Sequence, residues 1–185
     1  IEEMDRIISQ FLEFGRGVPQ EPAQATDLAE LVRELAEPYR LRGIDIELDA
    51  PDCLVASVRA LSLRRAIANL IDNALRYAGE SLPLTLSVSV HGSDICIEVA
   101  DRGPGIPESE VERMRQPFTR LEKARSNTKG AGLGLAIVER VMRSHDGRLE
   151  LLPREGGGLR AILCVPASGS AAVRAKLQPS SGNPT

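Results

Sequence analysis

Asn69 and Asn73 stand four residues apart in RRAIANLIDNALRYA (64–78), and DRGPGIP (101–107) and KGAGLGLAIVERV (129–141) follow in that order. Positions four apart share one face of a helix. Two neutral amides make poor core, but their oxygens suit a hard metal ion or a phosphate-bearing surface. The glycine clusters bend backbone where a ligand must approach closely. In this order the three stretches describe a nucleotide site built from one helix and two loops.

Each stretch has its own chemistry and its own plainer explanation. On the helix, Arg65 and Arg76 lie near the amide face, while Ala66, Ile67, Leu70, Ile71 and Ala74 form the core side. An amide oxygen there suits Mg²⁺, which keeps several waters and takes few protein ligands, and Arg76 can meet a phosphate. Alone, the pattern also fits a solvated face. Asp101 follows IEVA and so stands at a strand end, where its carboxylate can accept from a donor such as the adenine amino group. A charge-assisted bond of that kind contributes about 1.5–3 kcal/mol. Gly103 and Gly105 would let backbone pass close to a flat base; alone, DRGPGIP is an ordinary turn. GAGLGL, from Gly130 to Leu135, opens into a helix predicted over 133–145. Backbone N–H groups at such a helix start can point at phosphates. The stretch lacks the Lys-Ser/Thr ending of a P-loop. It also follows a loop and not a strand, so the dinucleotide fingerprint does not apply.

The elements that must position these residues are legible from periodicity. Residues 1–15 carry an apolar stripe at steps of three and four and read as a helix, and 16–25 read as a Gly/Pro linker. Thr26 or Asp27 caps a helix running to about Tyr39. IDIELD alternates as a strand, a helix is predicted over 59–78, and 84–90 and 94–100 form a hairpin around HGSD. The segment 101–131 is a long connection with one helical turn near 108–114, and strands at 148–152 and 159–165 flank REGGG. The tail, 167–185, is rich in Ser, Gly, Ala and Pro and reads as disordered. The class is α+β, with helices covering one face of a mixed sheet.

Composition bounds the partners. The chain has 185 residues, 42% hydrophobic and 26% charged, a globular profile with room for one full core. Five aromatic residues (Phe 3, Tyr 2, Trp 0) imply an aliphatic core and argue against base stacking on aromatic platforms. A net charge of −3 with no basic stripe argues against nucleic acid as a partner. Cys53, Cys96 and Cys164 fit neither a zinc spacing nor a disulfide framework, which suggests a reducing cytosol. No stretch reaches the ~18 apolar residues of a membrane span, and no signal peptide is visible. Ile1 is not a start methionine, so the chain reads as a piece of a longer protein.

The order of the motifs is more specific than any one of them. With QPFTRLEKARSNTK between the last two, the chain resembles the catalytic and ATP-binding domain of sensor histidine kinases over about 26–166. NLIDNALRYA looks like the family's N box, DRGPGIP its G1 box, PFTRL its F box and GAGLGLAIVERV its G2 box. The ending HDGRLELLPREGGGLRAILCVP is most similar to the osmosensor (EnvZ-like) subgroup. The resemblance implies the Bergerat α/β sandwich, preceded at 1–15 by the end of a dimerisation helix.

It also implies roles by position. Asn73 would bind Mg²⁺ beside the phosphates of ATP, supported by Asn69. Arg76 and Tyr77 would line the phosphate and nucleoside side, Asp101 would read the adenine amino group, and Gly103, Gly105 and Ile106 would shape the base pocket. Phe118 would anchor a lid. Arg120, Leu121, Lys129 and the backbone of Gly130, Ala131, Gly132, Leu133, Gly134 and Leu135 would enclose the nucleotide, with Arg125 a further phosphate candidate. ATPase branches of the superfamily carry a water-activating glutamate four residues before the metal-binding Asn; here that position is Asn69, and an amide is no general base. Neither His91, in the hairpin turn, nor His145, at a helix end with a capping or cationic role, matches the family's phosphoacceptor. No catalytic residue is therefore expected in this chain.

The expected function is to bind Mg·ATP and present its γ-phosphoryl to a histidine on an upstream helix, with relay to a response regulator. The full protein would be a homodimer, and this chain the cytoplasmic portion of an inner-membrane sensor kinase. The alternatives are an ATPase of the same superfamily, a serine kinase of the anti-sigma type, and a regulatory module whose lid closes on nucleotide.

Overall fold

The computed structural model describes residues 21–79, 83–119 and 132–167. The predicted helix at 1–15 and the tail from 168 lie outside them. Strand β1 (Gln24–Asp27) leads into helix α1 (Leu28–Leu41), then β2 (Ile46–Asp49), β3 (Val55–Val58) and helix α2 (Ala60–Ala78). The hairpin β4 (Leu84–His91) and β5 (Asp94–Ala100) follows. A 3₁₀ turn at Glu108–Glu110, the short helix α3 (Val111–Met114), helix α4 (Gly134–Ser144) and strands β6 (Arg148–Pro153) and β7 (Leu159–Pro166) complete the order.

Five strands form one mixed sheet in the order β2-β4-β5-β7-β6. The β2–β4 pair is parallel and the others antiparallel. Alternation places Leu86, Val88, Ile97, Val99, Ala161, Leu163, Leu149 and Leu151 in one buried cluster with Leu63, Ile67, Leu70 and Ile71 of α2 and Ile137, Val138 and Val141 of α4. Those α2 positions recur at steps of three and four, which puts one apolar stripe on the sheet. The predicted class, helices over one face of a mixed sheet, is what the chain adopts.

Two short strands escaped the sequence reading. β1 pairs antiparallel with β3, and Gln24 and Ala25 at the end of the expected linker belong to it. Asp27 is the N-cap of α1, as predicted: its Oδ1 accepts from Ala29 and Glu30 N–H at 3.0 and 3.3 Å, and also from Leu54 N–H at 3.0 Å.

The start of α2 is held from a distance. Its own N-cap, Arg59, provides no side-chain cap. Instead, Glu21 accepts from Leu61 N–H at 3.2 Å and Ser62 N–H at 2.8 Å. Burial opposes ionisation of Glu21, but the Ser62 backbone and hydroxyl and Leu61 N–H outweigh it and lower its pKa. His145 closes α4 as its C-cap. Its Nε2 accepts from Arg59 N–H at 3.0 Å and its Nδ1 lies 2.9 Å from Val141 O. The structure thus shows His145 in the capping position that the sequence offered.

The cysteine reading needs correcting. Cys96 and Cys164 form a disulfide. They are directly opposite in the β5–β7 register, on the sheet face away from the helices, and 68 residues of sequence separation concealed this. With Ile162 they form a small buried cluster of their own. Cys53 takes no part in a disulfide, and cysteine usage no longer argues for a reducing compartment.

Two outcomes are expected. Denatured protein without reductant should titrate one thiol per chain and reduced protein three; reduction should cost about 2–4 kcal/mol of stability in denaturant melts. Glu21→Ala should lose about 1 kcal/mol at neutral pH. Because the folded pKa of Glu21 is lowered, that loss should shrink as pH falls through the carboxylate range, which melts across pH will read.

Candidate functional site

Asn69 and Asn73 occupy one flank of α2, but the structure separates their roles. Asn69 is 9% exposed, and its Nδ2 donates to Arg65 O one turn back at 3.0 Å. It does not line the cavity described below. Asn73 does, and its carboxamide lies against Gly134, the first residue of α4. A Cβ on Gly134 would come within 3.0 Å of Asn73 Nδ2 and 3.1 Å of Oδ1. Glycine at 134 is thus what lets the amide sit on the first turn of α4. Among the described residues no side chain caps that helix. Its first N–H groups have no intrahelical acceptor, and the helix dipole places partial positive charge there.

Asp101 stands where β5 ends and is 6% exposed. Its Oδ1 accepts from Gly103 N–H at 2.8 Å and Leu159 N–H at 3.2 Å. Its backbone N–H donates to Leu159 O at 2.9 Å, so the β5–β7 ladder continues past the strand end. Burial raises its pKa, although the bonds from Gly103 and Leu159 and the charge of Arg154 oppose the rise. Among the described residues both bonds fall on Oδ1, which leaves Oδ2 for a ligand. The backbone around it is tightly packed. Gly158, at φ +114°, would bring a Cβ within 2.0 Å of Asp101 O.

Between these two places lies a cavity of about 500 Å³, within the range of small-molecule sites. Val99, Asp101, Ile106, Leu159 and Ala161 line one part, and Asn73, Gly132 and Gly134 another. The first is apolar with one carboxylate. The second offers an amide and a helix start.

The structure brings together Asn73, Arg76, Tyr77, Asp101, Gly105, Ile106, Gly132, Gly134 and Leu135 around this cavity. Other expected residues stand elsewhere. Gly103 does not line the cavity; a Cβ there would meet Ala78 Cα at 2.9 Å, so its smallness serves packing. Leu133 is fully buried in the core. Phe118 is 61% exposed and outside the lining. Its backbone N–H donates to Gly132 O at 3.0 Å, so backbone, at φ +62° for Phe118, joins the two ends of the intervening segment. Arg120, Leu121, Arg125, Lys129, Gly130 and Ala131 lie outside the described residues.

Sequence reasoning missed the β7 contribution, Leu159 and Ala161, because strand register decides it. It also missed Glu110, Arg113 and Thr119. Leu70 and Ala74 carry a signal, since they neighbour Asn73 at helical spacing, but the apolar stripe alone places them wholly in the core.

Comparison with known proteins gives the family and the fold. Residues 58–169 match the family described as histidine kinase-, DNA gyrase B- and HSP90-like ATPase. The sensor-like histidine kinase SenX3 of Mycolicibacterium smegmatis is 35% identical over 172 residues, covering 86% of this chain and 44% of that protein. The adaptive-response sensory kinase SasA of Prochlorococcus marinus is 31% identical over 177 residues, covering 90% and 46%. The chain thus spans less than half the length of these relatives. Among solved structures, the histidine kinase domain of the E. coli osmosensor EnvZ is 31% identical, with a TM-score of 0.64 and coverage of 90% of this chain and 99% of that one. Full-length ShkA, solved in complex with AMPPNP, is 26% identical at a TM-score of 0.69, with coverage of 89% and 35%.

The raised pKa of Asp101 makes a separable stability prediction. A raised folded pKa means that ionisation costs the folded state, and the cost is absent below the unfolded value. Asp101→Asn keeps an Oδ1 acceptor for Gly103 and Leu159 and removes the charge. It should melt at or above the parent temperature near about pH 7.5, with any advantage vanishing towards about pH 4. A large loss at neutral pH would mean that the charge itself holds the turn.

Proposed function

Because the chain belongs to the histidine kinase-, DNA gyrase B- and HSP90-like ATPase family, as the ATP-binding catalytic domain of a sensor histidine kinase, we propose that it binds Mg·ATP and presents the γ-phosphoryl to a histidine elsewhere in a longer protein. A response-regulator aspartate is the proposed final acceptor, and the longer protein a homodimeric sensor whose cytoplasmic portion contains this chain. One observation carries the reading. A single cavity joins a buried carboxylate with an uncommitted oxygen to an amide seated on an uncapped helix start.

Each end has its chemistry. Asp101 Oδ2 accepts from the adenine amino group, and Val99, Ile106, Leu159 and Ala161 bury the base. The first turn of α4 receives the phosphates through its N–H groups, and Arg76 adds a cation. Asn73 Oδ1 is the hard oxygen that would hold Mg²⁺. One protein ligand suits an ion that keeps most of its waters and binds substrate phosphate. When bound, Mg²⁺ neutralises charge on the phosphates. The protein's contribution is positioning and electrostatics, the usual demand of phosphoryl transfer.

Asn69 supports a kinase over an ATPase. An amide cannot take a proton from water, and this one is buried, bonded to Arg65 O and outside the cavity. ATP hydrolysis by the isolated chain should be slow.

Calorimetric titration with Mg·AMP-PNP tests the assignment. The parent should bind one equivalent. Asp101→Ala, which loses a charge-assisted bond, and Asn73→Ala should each weaken binding about tenfold or more. A folded parent that binds no nucleotide would refute the site. Binding without phosphotransfer to a separately supplied histidine-bearing helical domain would favour a regulatory module.

A further inference from the structure

Arg113 and Glu110 line the same cavity and have no role in the assignments above. We propose that this pair reads the sugar–phosphate junction of the nucleotide, with Arg113 Nη1 donating to a phosphate oxygen and Glu110 Oε1 accepting from a ribose hydroxyl. The proposal rests on the nucleotide reading and deepens it.

The first support is position. Going along the chain, Ile106 and Pro107 line the cavity beside Asp101, then come Glu110 and Arg113, then Thr119. Thr119 O lies where it would be 2.8 Å from a Cβ on Gly132, and Gly132 precedes the helix start on which Asn73 rests. The wall that carries the pair therefore runs from the base end to the phosphate end. The sugar of a nucleotide spanning the cavity passes between those ends.

The second support is the hydrogen-bond arrangement. Arg113 Nε donates to Glu110 Oε2 at 2.6 Å, and Nη2 pairs with the same oxygen. Neither Nη1 of Arg113 nor Oε1 of Glu110 takes part in that pairing. The carboxylate thus fixes the guanidinium plane, and the pair keeps one donor and one acceptor. That is the complement of a phosphate oxygen beside a hydroxyl. A half-buried pair three residues apart on a short turn still contributes little to stability by itself, so stability alone gives weak reason for it.

The third support is charge. Among the described residues, the cations lining the cavity are Arg76 and Arg113, one from α2 and the other from α3. A polyphosphate held between those walls meets a guanidinium from each.

NMR shift titrations of the full 185-residue chain reach weak affinities and separate the contributions. The probes are Mg·ADP, adenosine and the 2′,3′-dideoxy form of Mg·ADP. Arg113→Ala should weaken Mg·ADP about tenfold, one charge-assisted bond's worth, and leave the adenosine titration unchanged. The parent should prefer Mg·ADP to its dideoxy form, and Glu110→Ala should abolish that preference. Unchanged Mg·ADP affinity in Arg113→Ala would overturn the phosphate contact. An equal loss for adenosine would make Arg113 a structural residue. A ribose preference surviving in Glu110→Ala would overturn the sugar contact. A parent that binds none of the probes would instead refute the nucleotide reading itself.

Discussion

A single buried carboxylate organises the base end of this domain. Asp101 follows the last residue of β5, and its backbone and side chain both bond to Leu159 of β7. The same Oδ1 also accepts from the N–H of Gly103, two residues on. Burying a carboxylate is unfavourable unless its oxygens are satisfied, and two backbone donors satisfy one oxygen here. The other is left uncommitted. Gly158 can approach because it has no Cβ and adopts φ +114°. Strand pairing, turn geometry and ligand chemistry therefore meet at one residue.

The phosphate end depends on a different close approach. α2 and α4 lie side by side on the sheet, and Gly134 lets the Asn73 amide rest on the start of α4. The far ends of these helices are also joined, through Arg59 N–H and His145 Nε2. Glu21 then ties the preceding chain to the start of α2. Both helices that frame the site are thus held at both ends, which suits a site whose chemistry is positioning.

The two sheet faces are unequal. One carries the aliphatic stripe that receives α1, α2 and α4; the other carries the Glu98–Arg160 pair, the Arg148–Asp94 pair and the Cys96–Cys164 bridge. Alternation along the strands made the first face legible. It could not show which cysteine opposes which, because pairing depends on β5–β7 register. β1 and β3 were missed because QATD has no large apolar residue and VASV only two, whereas IDIELD alternates over six positions.

Local order in the chain determined the helices, the hairpin, the motif order and the chemistry of Asn73 and Asp101, because each of these depends on neighbours within a few residues. The contrast between Asn69 and Asn73 was tertiary: both have the same residue type and share a helix flank, and only the packing of α4 selects Asn73 for the cavity. The same holds for Gly103, which packs on Ala78 while Gly105 lines the cavity. It holds for Leu159 and Ala161, brought in by register, and for Glu110 and Arg113, brought in by the path of the chain between the two ends of the site. Hydrophobic period and motif spacing are one-dimensional signals; which side chain faces a shared cavity is decided by elements far apart in sequence packing against one another.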